Sequence, residues 1–164
     1  MPLSAYIAAL KMLGARELSE RQVRQRLARR RYEDEEIETA VARLKNDRSL
    51  DDSRAARAMA HADTSLKKRG KLRVTRRLEA AGIAPAVAQR AVQETFETID
   101  ADALLASALQ KRLRGREQIA DDREFQRLYR YLIGQGFESD RVLALLRRHK
   151  GHKGFATKDT KITK

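Results

Sequence analysis

The stretch VRQRLARRRYEDEEIETAVARL, from Val23 to Leu44, aligns without a gap with two later stretches of the same chain. These are VTRRLEAAGIAPAVAQRAVQET, which begins at Val74, and LYRYLIGQGFESDRVLALLRRH, which begins at Leu128. Val74 follows Val23 by 51 residues, and Leu128 follows Val74 by 54 residues. Self-similarity at such a period indicates a repeat protein in which each repeat is one supersecondary unit.

The positions that agree predict a helix, a break and a second helix in each stretch. An apolar residue is followed four residues later by leucine, on one helix face: Val23 and Leu27, Val74 and Leu78, Leu128 and Leu132. The break then ends in an apolar residue: Arg31-Tyr32, Gly82-Ile83 and Gly136-Phe137. Two of the three breaks carry glycine, the residue that best tolerates a left-handed C-cap.

The second helix is predicted to open near Asp34, Pro85 and Ser139, which suit an N-cap or the first helical turn. Its predicted buried stripe is Ile37, Ala40, Val41 and Leu44 in the first stretch, Ala88, Ala91 and Val92 in the second, and Val142, Leu145 and Leu146 in the third. Each stretch therefore predicts a pair of helices that pack against each other.

A further helix is predicted before each pair. Caps are available at Ser4, at Asp51, Asp52 and Ser53, and at Asp100 or Asp102. The predicted inner faces are Ile7, Leu10 and Leu13, then Ala56, Met59 and Ala60, then Leu104, Leu105, Ala108 and Leu109. Ser19 with Gln22 predicts a capping box. The extra residues of the third repeat fall between Leu113 and Phe125 and predict a longer loop.

Composition agrees with a helical fold, because Pro occurs twice and Gly eight times in 164 residues, while good helix formers dominate. We predict an all-α fold of three tandem three-helix repeats that form an elongated, curved modular body. The predicted boundaries are 1–48, 49–98 and 99–150, followed by a basic disordered tail at 151–164. A single compact helical domain is the alternative, and it is weaker because each repeat has its own apolar stripes.

The chain offers little material for catalysis. It has no Cys, no glycine-rich phosphate loop and only three scattered histidines. The carboxylate pairs Asp51-Asp52 and Asp121-Asp122 lie at predicted helix starts, where an anion caps backbone N–H groups. We therefore expect no enzyme activity, no metal and no cofactor. Because no signal peptide or long apolar run is present, we expect a cytoplasmic protein with no membrane partner.

Basic residues are the more informative feature, since 36 Lys and Arg oppose 23 Asp and Glu for a net charge of +13. One cluster comprises Arg24, Arg26, Arg29 and Arg30, with Arg21 and Arg31 beside them; the other comprises Lys67, Lys68, Arg69, Lys71, Arg73, Arg76 and Arg77. A solvated helix face is the alternative interpretation. The clusters lack acids and recur at equivalent places, which favours a surface that faces a polyanion or a protein partner. Aromatic residues are scarce, and only Tyr129 and Tyr131 lie near a third such surface, which disfavours sequence-specific reading of single strands by stacking.

Several segments resemble the RecX family in order and spacing. The segment from Ser49 to Arg57, with Leu50 and the pair Asp51-Asp52, resembles the opening of that family's central unit. Further matches follow at Ser19, Glu20, Val23 and Leu27, at Gly70, Val74, Leu78 and Ala81-Gly82-Ile83, and at Leu132, Gly136-Phe137 and Val142. The resemblance covers Ala5 to about Arg148. It implies structural roles for Leu50, Asp51, Asp52, Gly82, Gly136 and Phe137.

Two departures from the family pattern concern local contacts. Arg31-Tyr32 stands where a glycine or similar breaker is common, and Gly70-Lys71-Leu72 lacks a second glycine and an aromatic residue.

The resemblance implies a regulator of the bacterial recombinase RecA that binds the RecA–DNA filament along its groove. It also implies suppression of ATP hydrolysis, strand exchange and co-protease action. A general basic helical DNA-binding protein that acts without RecA is the alternative. A monomer is expected.

Overall fold

The computed structural model describes residues 4–150, and the predicted tail at 151–164 lies outside the described residues. Within this range all the secondary-structure elements are α-helices, apart from one isolated bridge between Ile119 and Lys150. The helices are α1 (Ala5–Ala15), α2 (Glu20–Arg29), α3 (Asp34–Asn46), α4 (Asp52–Ser65), α5 (Lys71–Ala80), α6 (Pro85–Glu97), α7 (Ala101–Leu113), α8 (Asp122–Gly134) and α9 (Ser139–Arg148). The all-α prediction is confirmed.

Close helix packing in this part of the chain occurs within three groups: α1 to α3, α4 to α6, and α7 to α9. Each group, called here the first, second and third unit, encloses its own cluster of buried apolar side chains. Phe96 is half-buried and packs against both the second and third clusters. The helices thus follow the predicted grouping, while the boundaries at 48/49 and 98/99 stay a prediction.

The predicted inner face of α1 is wrong at one position. Ile7 is 37% exposed, and the fully buried face of α1 consists of Ala5, Ala8, Ala9 and Met12. These four residues follow the i, i+3, i+4, i+7 pattern, and alanines allow α1 to approach α3 closely. Leu10 and Leu13 are half-buried at the edge of the same core.

The ends of the helices follow the predicted signals closely. Ser19 and Gln22 form the predicted capping box at the start of α2. Helices α3, α6 and α9 begin at the predicted residues. Their N-caps are one residue earlier, at Glu33, Ala84 and Glu138, so Asp34 and Ser139 lie in the first turn. Asp51, Asp100 and Asp121 cap α4, α7 and α8 through their carboxylates.

The break after the middle helix has a left-handed backbone in all three units. The φ angles are 62° at Arg31, 84° at Gly82 and 90° at Gly136. Glycine adopts this region without a steric penalty, whereas other L-residues are strained there. Arg31, which departs from the expected breaker, therefore keeps the same backbone geometry as the two glycines.

The predicted loop between Leu113 and Phe125 is shorter in the structure, because α8 already begins at Asp122, and one apolar residue holds the loop in place. Ile119 is 1% exposed within the core of the third unit, and its N–H donates to the carbonyl of His149 at 2.9 Å. The loop is thus anchored both by burial and by backbone pairing with the end of the third unit. Across residues 4–150 no helix has the length and apolar character needed to span a membrane.

Candidate partner and polyanion interface

The residues that carry the family resemblance hold the first unit against the second. Leu50 is 4% exposed in the first core, although it immediately precedes α4. The Asp51 carboxylate accepts hydrogen bonds from the N–H groups of Ser53 at 2.7 Å and Arg54 at 3.1 Å. The Asp52 carboxylate accepts from the N–H of Glu20, at the start of α2, at 2.8 Å. One short segment therefore closes a core, caps a helix and joins two units.

The first junction, between the first and second units, brings the start of α2 against the end of α5. The Ser19 hydroxyl donates to the carbonyl of Ala81 at 2.5 Å, across 62 residues of sequence. A Cβ built on Gly82 would lie 2.6 Å from the Cβ of Arg21, so the absence of a side chain is needed for this approach. Glu17 and Arg54 add an ion pair at 2.6 Å.

The second junction, between the second and third units, repeats this arrangement with backbone atoms. The N–H of Gly70 donates to the carbonyl of Gln135 at 2.9 Å, and the N–H of Leu72 donates to the carbonyl of Gly136 at 3.2 Å. A Cβ built on Gly136 would lie 2.6 Å from the Cβ of Arg73, and it would also collide with the backbone of that residue. Phe137 is buried in the third core directly after this contact.

Both junctions therefore place the N-terminus of one middle helix beside the C-terminus of the next unit's middle helix. The helix N-terminus carries partial positive charge and the C-terminus carries partial negative charge, so the pairing is electrostatically favourable. It also satisfies backbone groups that have no partner within their own helix. The basic clusters of the first and second units lie on middle helices, or on their approach, that meet in this way.

In the first cluster, Arg24 is committed to structural contacts. Its guanidinium binds the Glu20 carboxylate at 2.9 Å and also pairs with Glu38. Lys45 reaches the same Glu20 at 2.8 Å. Hydrogen bonds from Lys45 lower the pKa of Glu20 against the opposing effect of burial, and those from Arg24 lower it further. This ionic group ties α2 to α3 beside the first junction.

In the second cluster, three cations surround one buried carboxylate. Asp63 is 1% exposed and accepts from Lys67 at 2.8 Å, Arg69 at 2.7 Å and Arg77 at 3.0 Å. Burial alone would raise the pKa of Asp63, but the hydrogen bonds from Lys67 and Arg69 and the charge of Arg77 lower it. These cations have a structural role that the charge pattern alone did not predict.

The other predicted interface residues differ in how available they are. Arg73 is half-buried and donates to the carbonyl of Gly134 at 2.7 Å. Lys68 is half-buried and has φ of 53°, in the left-handed region. Among the described residues, no partner pairs with the charged groups of Arg26, Arg29, Arg30, Lys71 and Arg76. Of these five, all but the half-buried Arg26 are exposed. They are the predicted interface residues best placed to meet a partner.

Sequence reasoning missed the carboxylates that organise these cations. The spacing of Glu20 with Arg24, and of Asp63 with Lys67, is i, i+4 and could have predicted both ion pairs. The burial of Asp63 had no such signal, because it depends on how α4 and α5 pack. Within the described part of the chain, no group of His, Asp and Glu has an arrangement that could hold a metal ion.

Comparison with known proteins decides the family. A family model described as the first three-helix domain of RecX matches residues 5–44. The regulatory protein RecX of Thermotoga maritima is 33% identical over 143 residues, which cover 87% of this chain and 83% of the relative. The chain belongs to the RecX family. The regulatory protein RecX of Halorhodospira halophila is 30% identical over 138 residues, covering 84% of this chain and 83% of the relative.

Solved RecX structures have the same fold. The crystal structure of RecX from Lactobacillus salivarius has a TM-score of 0.68 at 16% identity and covers 88% of this chain and 93% of its own. A second structure, of a regulatory protein RecX, has a TM-score of 0.67 at 22% identity and covers 88% of this chain and 70% of its own. Identities this low show the fold alone. The RecX relatives are named as regulatory proteins, and none of those cited carries the name of an enzyme.

Proposed function

We propose that this RecX-family chain is a negative regulator of the RecA recombinase in DNA repair and recombination. It binds the RecA–DNA filament in the cytoplasm and inhibits ATP hydrolysis, strand exchange and co-protease action. The observation that carries the proposal is the 33% identity to a regulatory protein RecX over 87% of the chain. The chain acts as a monomer. It inhibits RecA by binding and uses no catalytic residue, metal or cofactor.

The geometry supports a binding role for the exposed cations. Arg29 and Arg30 lie at the end of α2, while Lys71 and Arg76 lie on α5. Since α5 meets α2 end to end at the first junction, the two groups belong to consecutive middle helices. Such a series of positive charges suits an extended negative surface, as a filament of protein and DNA presents.

The decisive experiment measures RecA ATPase on single-stranded DNA while this chain is added well below the RecA concentration. We expect inhibition at substoichiometric amounts, because one regulator bound in a filament affects many protomers. Strand exchange is measured in parallel. No inhibition together with tight binding to bare DNA would overturn the proposal.

The structure decides which substitutions test the docking residues. Replacing Lys67 or Arg69 removes a partner of buried Asp63, so the variant loses stability as well as a docking charge. A loss of inhibition would then not report on docking alone. The double variant Lys71→Ala with Arg76→Ala avoids this. We expect it to raise the concentration for half inhibition about fivefold, since each exposed charge contributes roughly 1 kcal/mol or less.

The matched control is Arg57→Ala with Arg90→Ala, which removes the same charge from exposed positions of α4 and α6. Equal inhibition by the two double variants would contradict the docking role of Lys71 and Arg76. Circular dichroism confirms that both variants keep their helix content.

A basic helical DNA-binding protein that acts without RecA is the second candidate, and the net charge of +13 supports it. Binding of this kind weakens steeply with salt, because each phosphate contact releases counterions. The second candidate is favoured if inhibition of RecA depends on salt as strongly as binding to bare DNA does. It is also favoured if an excess of competitor DNA, which binds this chain, abolishes the inhibition.

A further inference from the structure

The third unit contains a basic cleft outside the two clusters discussed above. The cleft has a volume of about 670 Å³ and lies between the end of α7 and the middle of α8. It is lined by five cationic residues and two others: Lys111, Arg112, Arg114, Arg116 and Arg127, with Leu128 and Tyr131. We propose that this cleft binds the phosphate backbone of a nucleic-acid strand.

The cleft is held in shape by a buried carboxylate behind it. Glu124 is 7% exposed and accepts from Arg116 at 2.5 and 3.1 Å and from Arg127 at 3.2 Å. It also accepts from the N–H of Ala120 at 2.9 Å, so the loop and α8 are joined. Hydrogen bonds from Arg116 and from Ala120 lower the pKa of Glu124 to about 2, so this anchor stays ionised.

The remaining cations that line the cleft lie at the C-terminal end of α7. Arg114 is the C-cap of α7 and has φ of 52°, a left-handed turn that ends the helix. Lys111, Arg112 and Arg114 are exposed, and within residues 4–150 no carboxylate pairs with them. A concentration of uncompensated positive charge in a concave site attracts anions, because the like charges repel one another until an anion is bound.

An aromatic ring makes the cleft suited to nucleic acid rather than to a small anion. The Arg112 guanidinium lies 4.1 Å from the centre of the Tyr131 ring, and Tyr131 is half-buried against the third core. A guanidinium stacked on an aromatic ring presents both a planar surface and hydrogen-bond donors. Nucleic-acid strands use both, through phosphate contacts and through stacking on arginine or aromatic planes.

The third unit thus supplies a nucleic-acid contact separate from the exposed cations of the first and second units. The inference does not depend on the proposed action on RecA, because it concerns binding of a strand to this chain alone. A regulator with a partner-facing surface and a separate strand-binding cleft can contact both components of a nucleoprotein filament.

The test measures fluorescence anisotropy of a labelled oligothymidylate of about 16 nucleotides with the full chain. The variant Lys111→Gln with Arg112→Gln removes two lining cations without touching the Glu124 anchor. We expect it to weaken binding about tenfold and to reduce the slope of log K against log salt by about 1.4, since each single-strand phosphate contact contributes roughly 0.7.

Arg147→Gln with Arg148→Gln is the matched control, because it removes the same charge from exposed positions at the end of α9. We expect less than a twofold change in binding for this control. The second variant is Arg114→Asn, because asparagine tolerates the left-handed backbone at this position. We expect it to weaken binding about threefold. Thermal unfolding of each variant shows that the fold is retained.

Any of three outcomes would overturn the inference. One is equal loss of binding in the cleft variant and the control, which would assign the effect to net charge. Another is displacement of the oligonucleotide by millimolar inorganic phosphate at constant ionic strength, which would assign the cleft to small anions. Retained binding by Arg114→Asn and by the lysine–arginine variant together would also exclude the cleft.

Discussion

The first junction of this chain is built mainly from side chains, whereas the second is built mainly from backbone atoms. Ser19 contacts Ala81 through its hydroxyl, while at the equivalent place Gly70 contacts Gln135 through its backbone N–H. Asp52 adds a carboxylate to the first junction, where Ala101 begins the corresponding helix of the next unit. The same stacking of units can therefore be achieved with different atoms.

The difference matters for how each junction responds to change. A junction made of charged side chains weakens with salt and acid, because its groups can be screened or protonated. A junction made of backbone hydrogen bonds and glycine contacts depends on close approach, and it tolerates pH but not added volume.

The largest expected effect is at Gly136. The change Gly136→Ala places a methyl group against the backbone of Arg73 and forces a left-handed φ on alanine. We expect the free energy of unfolding to fall by about 3 kcal/mol, from roughly 1–2 for the backbone and the rest for overpacking. Denaturant unfolding measures it. Gly134→Ala is the control, because a Cβ there meets nothing within 4 Å, and an equal loss in both would contradict the account.

A smaller loss is expected at Gly82, the equivalent position of the first junction. The methyl group of Gly82→Ala meets the side chain of Arg21, not backbone, so part of the clash can be relieved by movement. We expect a loss of about 2 kcal/mol, again measured by denaturant unfolding. Adding Arg21→Ala should recover part of this loss. A double variant no more stable than Gly82→Ala alone would show that Arg21 is not the obstacle.

Acid should loosen the packing of α2 on α3, beside the first junction, before it loosens the second junction. The pKa of Glu20 is lowered in the folded chain, so its stabilisation is complete above the ordinary carboxyl value and is lost as pH falls through the lowered value. The N–H groups of Gly70 and Leu72 have no such dependence. Between pH 5 and pH 3 the protection factor for hydrogen exchange, which corrects for the pH dependence of the intrinsic rate, should therefore fall at the start of α2 more than at the start of α5. Equal changes would contradict the distinction.

The pKa of Glu124, lowered from 4.5 to about 2, provides an internal comparison in the same acid series. Its contribution is complete above pH 4.5 and is lost as pH falls toward 2, so the loop of the third unit should stay protected when the packing of α2 on α3 has loosened. Glu124→Gln should remove this late acid transition while leaving the earlier one.

The smallest effect is expected at Arg31, which occupies the left-handed position of the first unit. Arg31→Gly removes strain of roughly 1 kcal/mol but increases the entropy of the unfolded chain by a similar amount. We expect the free energy of unfolding to change by less than about 1 kcal/mol in calorimetry. A loss comparable with that at Gly136 would mean that the Arg31 side chain makes a contact that outweighs the strain.

A comparison of Arg31 with the equivalent Gly82 and Gly136 explains why this chain tolerates a departure from the family pattern at Arg31. Gly82 and Gly136 each receive the middle helix of the preceding unit, so a Cβ is excluded as well as strained. Arg31 is exposed, so a Cβ at this position is strained but is not excluded by close packing. Strain alone costs little, and a non-glycine residue is tolerated once close packing is removed. The departure from the family pattern therefore marks a free face and not a change of fold.

Much of the fold was predictable because it depends on local pattern. The spacing of Val74 with Leu78, the start of α6 at Pro85 and the capping box at Ser19 all follow from contacts within a few residues. The face of α1 was less predictable, because both Ile7 and Ala8 have suitable helical spacing. Packing against α3 favoured the alanines, which permit a closer approach.

The candidate interface was only partly predictable. Counting charges located the basic clusters. It did not separate Lys71 and Arg76, whose charged groups pair with no acid among the described residues, from Arg69 and Arg77, which pair with Asp63. That distinction depends on whether an acid is buried nearby. The sequence indicated a third basic surface near Tyr129 and Tyr131 but not its cleft, because Lys111 and Arg127 line one cleft only when α7 packs on α8.

The sequence by itself determined the helices, their caps, the period of the units and the membership of the RecX family, because these depend on residue spacing and local hydrogen bonding. Only the tertiary structure decided how the units join, which cations are already paired and where a basic cleft forms. These features arise from contacts between residues far apart in the sequence, such as Ser19 and Ala81, which are 62 positions apart. Charge and spacing along a chain do not determine which distant groups become neighbours, since that depends on packing.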